Sequence, residues 1–242
     1  MAVRLTMLEH LKAGVYFDVI RDTHTKLTYS QFGEDSLILD ILVHDIQKPH
    51  GGFYVDVGAF HPRWISTTRL LKFLNWTGIN IDANEEVIAL FNRERSEDIN
   101  VCCGVGSTEG QLVYHMFEGG AVNTLSPDFA ELQGKLGAKL TGSKSIPVRT
   151  INQILEEKLP VGQPIDYMNI DLEGLDREVL VSLDLSRFRP AVISIEIFGV
   201  DILMLGNDPT VSYLRENGYK LAAVARATFI FLDLTQSKVS YD

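Results

Sequence analysis

Five short apolar runs divide this chain: FYVDV at 53–57, INI at 79–81, INVCC at 99–103, DYMNI at 166–170 and AVISIEI at 191–197. They are nearly continuous in apolar residues, where a half-solvated strand would alternate. Helical patterns lie between most of them, and buried strands alternating with helices require a parallel sheet covered on both faces. The segments YKLAAVA at 219–225 and TFIFLDL at 228–234 are too close together for a crossover helix, so they are expected to pair as antiparallel neighbours at one edge.

The intervening segments carry helix punctuation. Asp208 before Pro209 reads as an N-cap and first-turn proline, with Gly218 stopping the same helix. Thr150 and Gln153 have the spacing of a capping box, and Ser126 with Pro127 marks another start. Asn84 precedes Glu85 and Glu86, which puts acids where the helix dipole favours them. Between 104 and 150 the pattern loosens into a strand-like QLVYHMF at 111–117 and a glycine-rich tract over 119–142, an insertion expected to shape a pocket.

A length of 242 residues suits one large domain, and no repeat, low-complexity tract or linker divides it. We place an amphipathic helical segment at 1–28 and a single α/β domain at 29–242. Glu9, His10, Lys12 and Asp18 interrupt the apolar run that a signal peptide needs. No later stretch reaches the roughly 18 charge-free apolar residues of a membrane span. A net charge of −10 opposes docking on a phosphate backbone, so a small acceptor molecule is expected rather than nucleic acid. The only cysteines, Cys102 and Cys103, are adjacent and unsuited to bridge each other, which points to a reducing, cytoplasmic setting. They read as core residues at a strand end, and Trp64 and Trp76 read as packing.

In an open parallel sheet, ligands bind beyond the carboxyl ends of the strands, so the residues just after each apolar run matter most. After the first run comes Asp56-Val57-Gly58-Ala59-Phe60-His61-Pro62. Gly58 permits a tight turn close to a ligand, and Asp56 offers an acceptor to an ammonium or hydroxyl. The GxGxxG run of a dinucleotide site is absent, as is a Walker-type phosphate loop, which disfavours a nicotinamide-dependent dehydrogenase. Asp82 ends the second run, where an acid can accept hydrogen bonds from ribose hydroxyls. An acid there also starts helices, but Asn84 already supplies that cap.

The segments YSQFGED at 29–35, VDVGAFHPRWISTT at 55–68, INIDANEEVI at 79–88, NIDLEGLDREVL at 169–180 and VISIEIF at 192–198 occur in one order along the chain. In them the sequence resembles the FkbM family of S-adenosylmethionine-dependent methyltransferases. The resemblance implies a Rossmann-like sheet of about seven strands, mostly parallel, with the last antiparallel and helices on both faces. It implies that Asp56, Gly58, Ala59 and Phe60 line the methionine side of S-adenosylmethionine, that Asp82 and Ala83 hold the ribose, and that Gly104 and Val105 wall the adenine. Gln31 and Glu34 would face the cofactor and the substrate entrance, although Glu34 also fits an ordinary first-turn acid. Where the usual first loop has a further glycine, this chain has Phe60.

The fourth run ends in Asn169-Ile170-Asp171-Leu172-Glu173-Gly174. Methyl transfer from a sulfonium is an in-line displacement that depends on alignment, and a hydroxyl acceptor must also lose a proton to a base or a metal. Asp171 is the first candidate for base or acceptor orienter, with Glu173 beside it. His61 is the rival, because its ordinary pKa lies nearer neutrality. Asp171, Glu173 and Glu196 could instead form an oxygen-rich magnesium site, though acids at strand ends more often cap helices or bind acceptor hydroxyls. The expected reaction is O-methylation of a sugar or natural-product hydroxyl, leaving S-adenosylhomocysteine. N-methylation and a non-catalytic binding module of the same fold are the alternatives.

Overall fold

A computed structural model describes residues 27–239, so the helix expected over 1–28 falls almost wholly outside the described residues. A first helix, α1 (Glu34–His44), leads into the apolar runs, which form β1 (Phe53–Val57), β2 (Thr77–Asp82), β3 (Ile99–Cys102), β7 (Tyr167–Ile170) and β8 (Val192–Glu196). The late pair forms β9 (Tyr219–Ala225) and β10 (Thr228–Asp233). These make one seven-stranded sheet in the order β3-β2-β1-β7-β8-β10-β9. Neighbours from β3 to β8 are parallel, and β10 runs antiparallel to both β8 and β9. The mostly parallel sheet expected from the sequence is therefore present, with its antiparallel edge.

Strands β1 and β7 are buried along their whole length, which is why they read as unbroken apolar runs. On one face Val55, Val57, Ile79, Met168 and Ile193 pack against Ile154, Leu155, Val179, Leu180, Val211 and Leu214. Those partners come from α5 (Ile151–Lys158), α6 (Asp176–Ser182) and α7 (Pro209–Glu216). On the other face Tyr54, Tyr167, Val192 and Ile230 meet Ile38 and Leu42 of α1, with Leu71, Leu74 and Trp76. Leu71 belongs to the short α2 (Arg69–Lys72). Each such apolar side chain taken fully out of water contributes about 1.5–3 kcal/mol. The caps behave as expected: Asn84 starts α3 (Glu85–Glu94), Ser126 starts α4 (Pro127–Lys135), Thr150 and Gln153 form a capping box on α5, and Asp208 caps α7.

The insertion builds a second sheet of three strands, in the order β4-β6-β5. They are β4 (Gly104–Gly106), β5 (Gly110–Phe117) and β6 (Leu140–Thr150). Strand β6 escapes a hydrophobicity reading because only Ile146 and Val148 along it are buried, and Pro147 lies between them. The run INVCC accordingly divides: β3 ends at Cys102, and the chain leaves the main sheet at Cys103. Cys102 is exposed, against the core place expected of it, while Cys103 is half-buried and packs against the main core. Trp76 is fully buried, whereas Trp64 is 68% exposed and packs nothing in the core.

From β1 the chain winds one way through β2 to β3, and from β7 the other way through β8. The reversal lies between β1 and β7, which pair in register with Asp56 beside Asn169. There Gly58 has a φ of 87°, and a Cβ on it would lie 1.7 Å from the Asp171 carbonyl oxygen. Its lack of a side chain is therefore required by backbone packing whether or not a ligand is bound. Gly58→Ala is expected to lower stability by at least about 2 kcal/mol, since strain at positive φ adds to the backbone clash. The check is the denaturant midpoint at unchanged slope; a midpoint within error of the wild type would remove this constraint.

Candidate active site

Two adjoining clefts open at the switch point. Gly58, Phe60, Ala121, Asp171 and Glu173 line both. The first cleft adds Asp82, Ala83 and Val105, the second Gln31, Glu34, Asp56, Ala59, His61 and Glu196. All the candidate residues read from the sequence thus border one continuous depression except Gly104. That glycine lies in the core of the small sheet, where a Cβ would meet Val148, Leu125 and Ile146, and its neighbours Cys103 and Val105 form the wall instead.

Asp56 sits beneath the floor, only 3% exposed. Its carboxylate accepts from Asn169 Nδ2 at 3.0 Å and from Thr68 Oγ1 at 3.1 Å. Burial raises its pKa, against the lowering effect of those bonds and of Arg95. The guanidinium of Arg95, itself 2% exposed, donates to Thr68 Oγ1 at 2.8 Å, to Ser66 Oγ at 3.2 Å and to the Pro62 carbonyl. Asp56 and Arg95 thereby fasten the loop that carries Phe60 and His61. On the far side, Asn169 Oδ1 accepts from Ser194 Oγ at 2.7 Å, and Ser194 in turn meets the Tyr167 hydroxyl at 2.7 Å.

Asp82 accepts the Asn84 amide at 2.7 Å, and burial pushes its carboxyl up to about 7. It faces a cleft whose apolar wall includes Ile81, Val105, Leu125 and Leu175. Gln31 and Glu34 are brought to the second cleft by the turn before α1. The Glu34 carboxylate accepts the amides of Gln31 and Phe32 at 3.2 and 2.8 Å, and the residue is 4% exposed, so it is not a solvated first-turn acid.

Beyond β7 and β8 lies a group of acids. One carboxylate oxygen from each of Asp171, Glu173 and Glu196 lies within 4.8 Å of the others, a donor set that could hold a divalent cation. Burial is the main force raising all three. Glu196 and Asp176 raise Asp171 further, Asp171 and Asp176 carry Glu173 to about 9, and Glu173, Asp176 and Glu34 carry Glu196 to about 8. Asp176 holds the turn itself, accepting the amides of Leu172 and Gly174 at 2.8 and 3.0 Å. Glu173 takes a left-handed φ of 51° in that turn, an uncommon conformation for a side chain of its size. Its carbonyl accepts from Thr124 Oγ1 at 2.7 Å, which ties the insertion to the end of β7.

A family model described as the methyltransferase FkbM domain matches residues 56–221, well over half of the chain. The chain belongs to the FkbM methyltransferase family. No curated protein and no solved structure matches it. The matched span begins at Asp56 and takes in both clefts except for Gln31, Glu34 and Thr228, which flank it in sequence. The FkbM fold here thus receives part of its second cleft from α1 and from β10.

Sequence reasoning missed Tyr114, Asn123, Thr124 and Leu125 of the first cleft and Thr228 of the second. The first four come from the insertion, where no strand end pointed to them; Thr228 starts β10 opposite Glu196, a pairing visible only in the sheet register.

The acid cluster has a measurable consequence for stability. Glutamates near 4.3 in the unfolded chain are raised in the fold, so the native state holds more protons between those values, and stability falls as pH rises through that window. Glu173→Gln removes one of the repelling charges. Its stability relative to wild type should climb by at least about 1 kcal/mol between pH 5 and pH 9. Chemical unfolding across that range tests this, and parallel curves for the two proteins would show that these acids are not proton-loaded in the fold.

Proposed function

We propose that this FkbM methyltransferase uses S-adenosylmethionine to methylate a hydroxyl of a sugar or similar natural product, with the carboxylate cluster of Asp171, Glu173 and Glu196 as proton acceptor. The observation that carries the reading is the place of that cluster: Asp171 and Glu173 border both clefts, at the junction where a donor in one meets an acceptor in the other.

On this reading the adenosine occupies the first cleft, its ribose on Asp82 and its base between Val105 and Leu125, while the methionine crosses Gly58 and Phe60 toward the second. The acceptor oxygen attacks the methyl carbon as the carbon–sulfur bond breaks, its proton passes to a carboxylate, and the sulfur leaves as the neutral thioether of S-adenosylhomocysteine. Bound S-adenosylmethionine carries its sulfonium charge beside acids, a favourable placement in a cleft of low dielectric. The same acid lining suits an acceptor that bears an amine, which is the second reading. The net charge of −10 disfavours nucleic acid as acceptor.

Calorimetric titration of S-adenosylmethionine, S-adenosylhomocysteine and NAD into the protein comes first. The expected result is saturable binding of the first two and none of NAD. Replacing Asp82 by Ala should weaken S-adenosylhomocysteine by about 1.5–3 kcal/mol at pH 8, above the value near 7 at which its carboxyl ionises. Unchanged affinity would take the ribose away from Asp82.

Panels of hydroxylated sugars and of amines then separate oxygen from nitrogen transfer. Because the cluster must be deprotonated to act, turnover should rise between pH 6 and about 9, the region in which Glu196 and Glu173 lose their protons. Asp171→Asn should lower kcat by roughly 10²–10⁴ with cofactor affinity kept. Turnover that survives in this variant, or that vanishes in chelator and returns with magnesium, would replace the shared-proton role with another.

A further inference from the structure

His61 borders the second cleft on the loop that follows β1. Its Nδ1 accepts two backbone amides of its own loop, from Arg63 at 3.0 Å and Trp64 at 3.1 Å. A ring nitrogen that accepts carries no proton, so the neutral imidazole must bear its proton on Nε2. The Trp64 indole stacks on the ring at 4.4 Å between centroids and 2° between planes, which fixes the imidazole plane as the amides fix its rotation. Protonating the ring would set an N–H on Nδ1 against both amides. Burial and the charges of Arg63, Arg95 and Arg69 also press its pKa below the ordinary value, with Glu94 opposing. The nitrogen available for taking a proton is therefore occupied by the loop, and the one left for a ligand is a donor.

The described residues that line the second cleft include no lysine or arginine, while Glu34, Asp171, Glu173 and Glu196 supply acid. A zwitterionic methionine group entering it brings an ammonium those acids attract and a carboxylate they repel. The carboxylate needs a donor; the Gln31 amide and the hydroxyls of Ser66, Thr67 and Thr228 also line the cleft, but these can rotate to present an acceptor instead, whereas the loop amides hold the proton of the neutral His61 on Nε2.

We propose that His61 is a fixed neutral donor whose Nε2–H holds the methionine carboxylate of the methyl donor, and that it is not the base. This assignment rests on the S-adenosylmethionine reading above, and the test keeps the two apart. The protein is labelled with ¹⁵N in its histidines, and His61 is assigned by comparison with His61→Asn, whose Oδ1 can still accept the loop amides but which has no ring N–H. The expected spectrum at pH 7.5 shows Nδ1 unprotonated and Nε2 protonated, and S-adenosylhomocysteine should move the Nε2–H resonance downfield. The variant should unfold at the wild-type temperature and bind S-adenosylhomocysteine at least about tenfold more weakly.

A protonated Nδ1 overturns the proposal without any ligand. Saturable binding that leaves the Nε2–H unmoved, or a variant of undiminished affinity, overturns it while the cofactor reading stands. Failure of the wild type to bind either S-adenosyl compound overturns both.

Discussion

The buried carboxylate of Asp56 is the constraint on which the site depends. A charge taken out of water must be met by fixed partners, and here these come from three directions: Asn169 on β7, Thr68 before α2, and through Thr68 the guanidinium of Arg95 at the end of α3. Tyr54 also meets Arg95, and its hydroxyl donates to Asp98, which Lys72 neutralises at 2.8 Å. The polar line runs on through Asn169 and Ser194 to Tyr167, beneath the ends of β1, β7 and β8. It lies on the Tyr54 face of the sheet, because Asp56 shares that face by strand alternation. One carboxylate inside the sheet thereby sets the spacing of three strand ends and the path of the loop over them.

Above that paired charge the protein places acids without paired bases, and the contrast separates scaffold from cleft. Asp56, Asp98 and Asp233 each have a cation or several donors. Asp171, Glu173 and Glu196 instead raise one another, and Glu196 Oε2 is a buried oxygen without a hydrogen-bond partner among the described residues. Burying like charges together costs stability unless they share protons or meet a cation, a cost that the paired acids of the scaffold do not carry. A sulfonium donor supplies a positive charge and its thioether product does not. On the proposed reading the cluster holds the substrate form of the cofactor more strongly than the spent form, which favours release after transfer.

Much of this was legible in the sequence where a single physical rule dominated. Buried parallel strands show as unbroken apolar runs, the caps at Asn84, Ser126, Thr150 and Asp208 show as short polar signatures, and strand-end residues follow from the switch-point rule. The insertion was not legible. Strand β6 buries only two side chains of its eleven, so its pairing with β5 rests on backbone bonds that leave no mark in hydrophobicity. Gly104 was misplaced for the same reason, since the chain changes sheets at Cys103 and a count of residues past a strand end no longer indicates direction. For Glu34 the helix position alone fits a surface acid, while the resemblance set it at the cleft; there its carboxylate turns back onto the amides of Gln31 and Phe32.

The insertion and the acid turn are mechanically one unit. Thr124 grips the carbonyl of Glu173, and Gly174 packs so closely that a Cβ there would lie 2.9 Å from Phe129 and 3.2 Å from Ser126. Phe129 in turn packs its ring at a tilt of 44° against Phe198, just past β8, at 5.7 Å between centroids. A change at Thr124, Ser126 or Phe129 therefore bears on the left-handed backbone of Glu173 and, through Phe198, on the segment after Glu196, the two flanks of the carboxylate cluster. The turn that carries Glu173 keeps its backbone only while the insertion supplies the hydroxyl at Thr124 and position 174 stays free of a side chain.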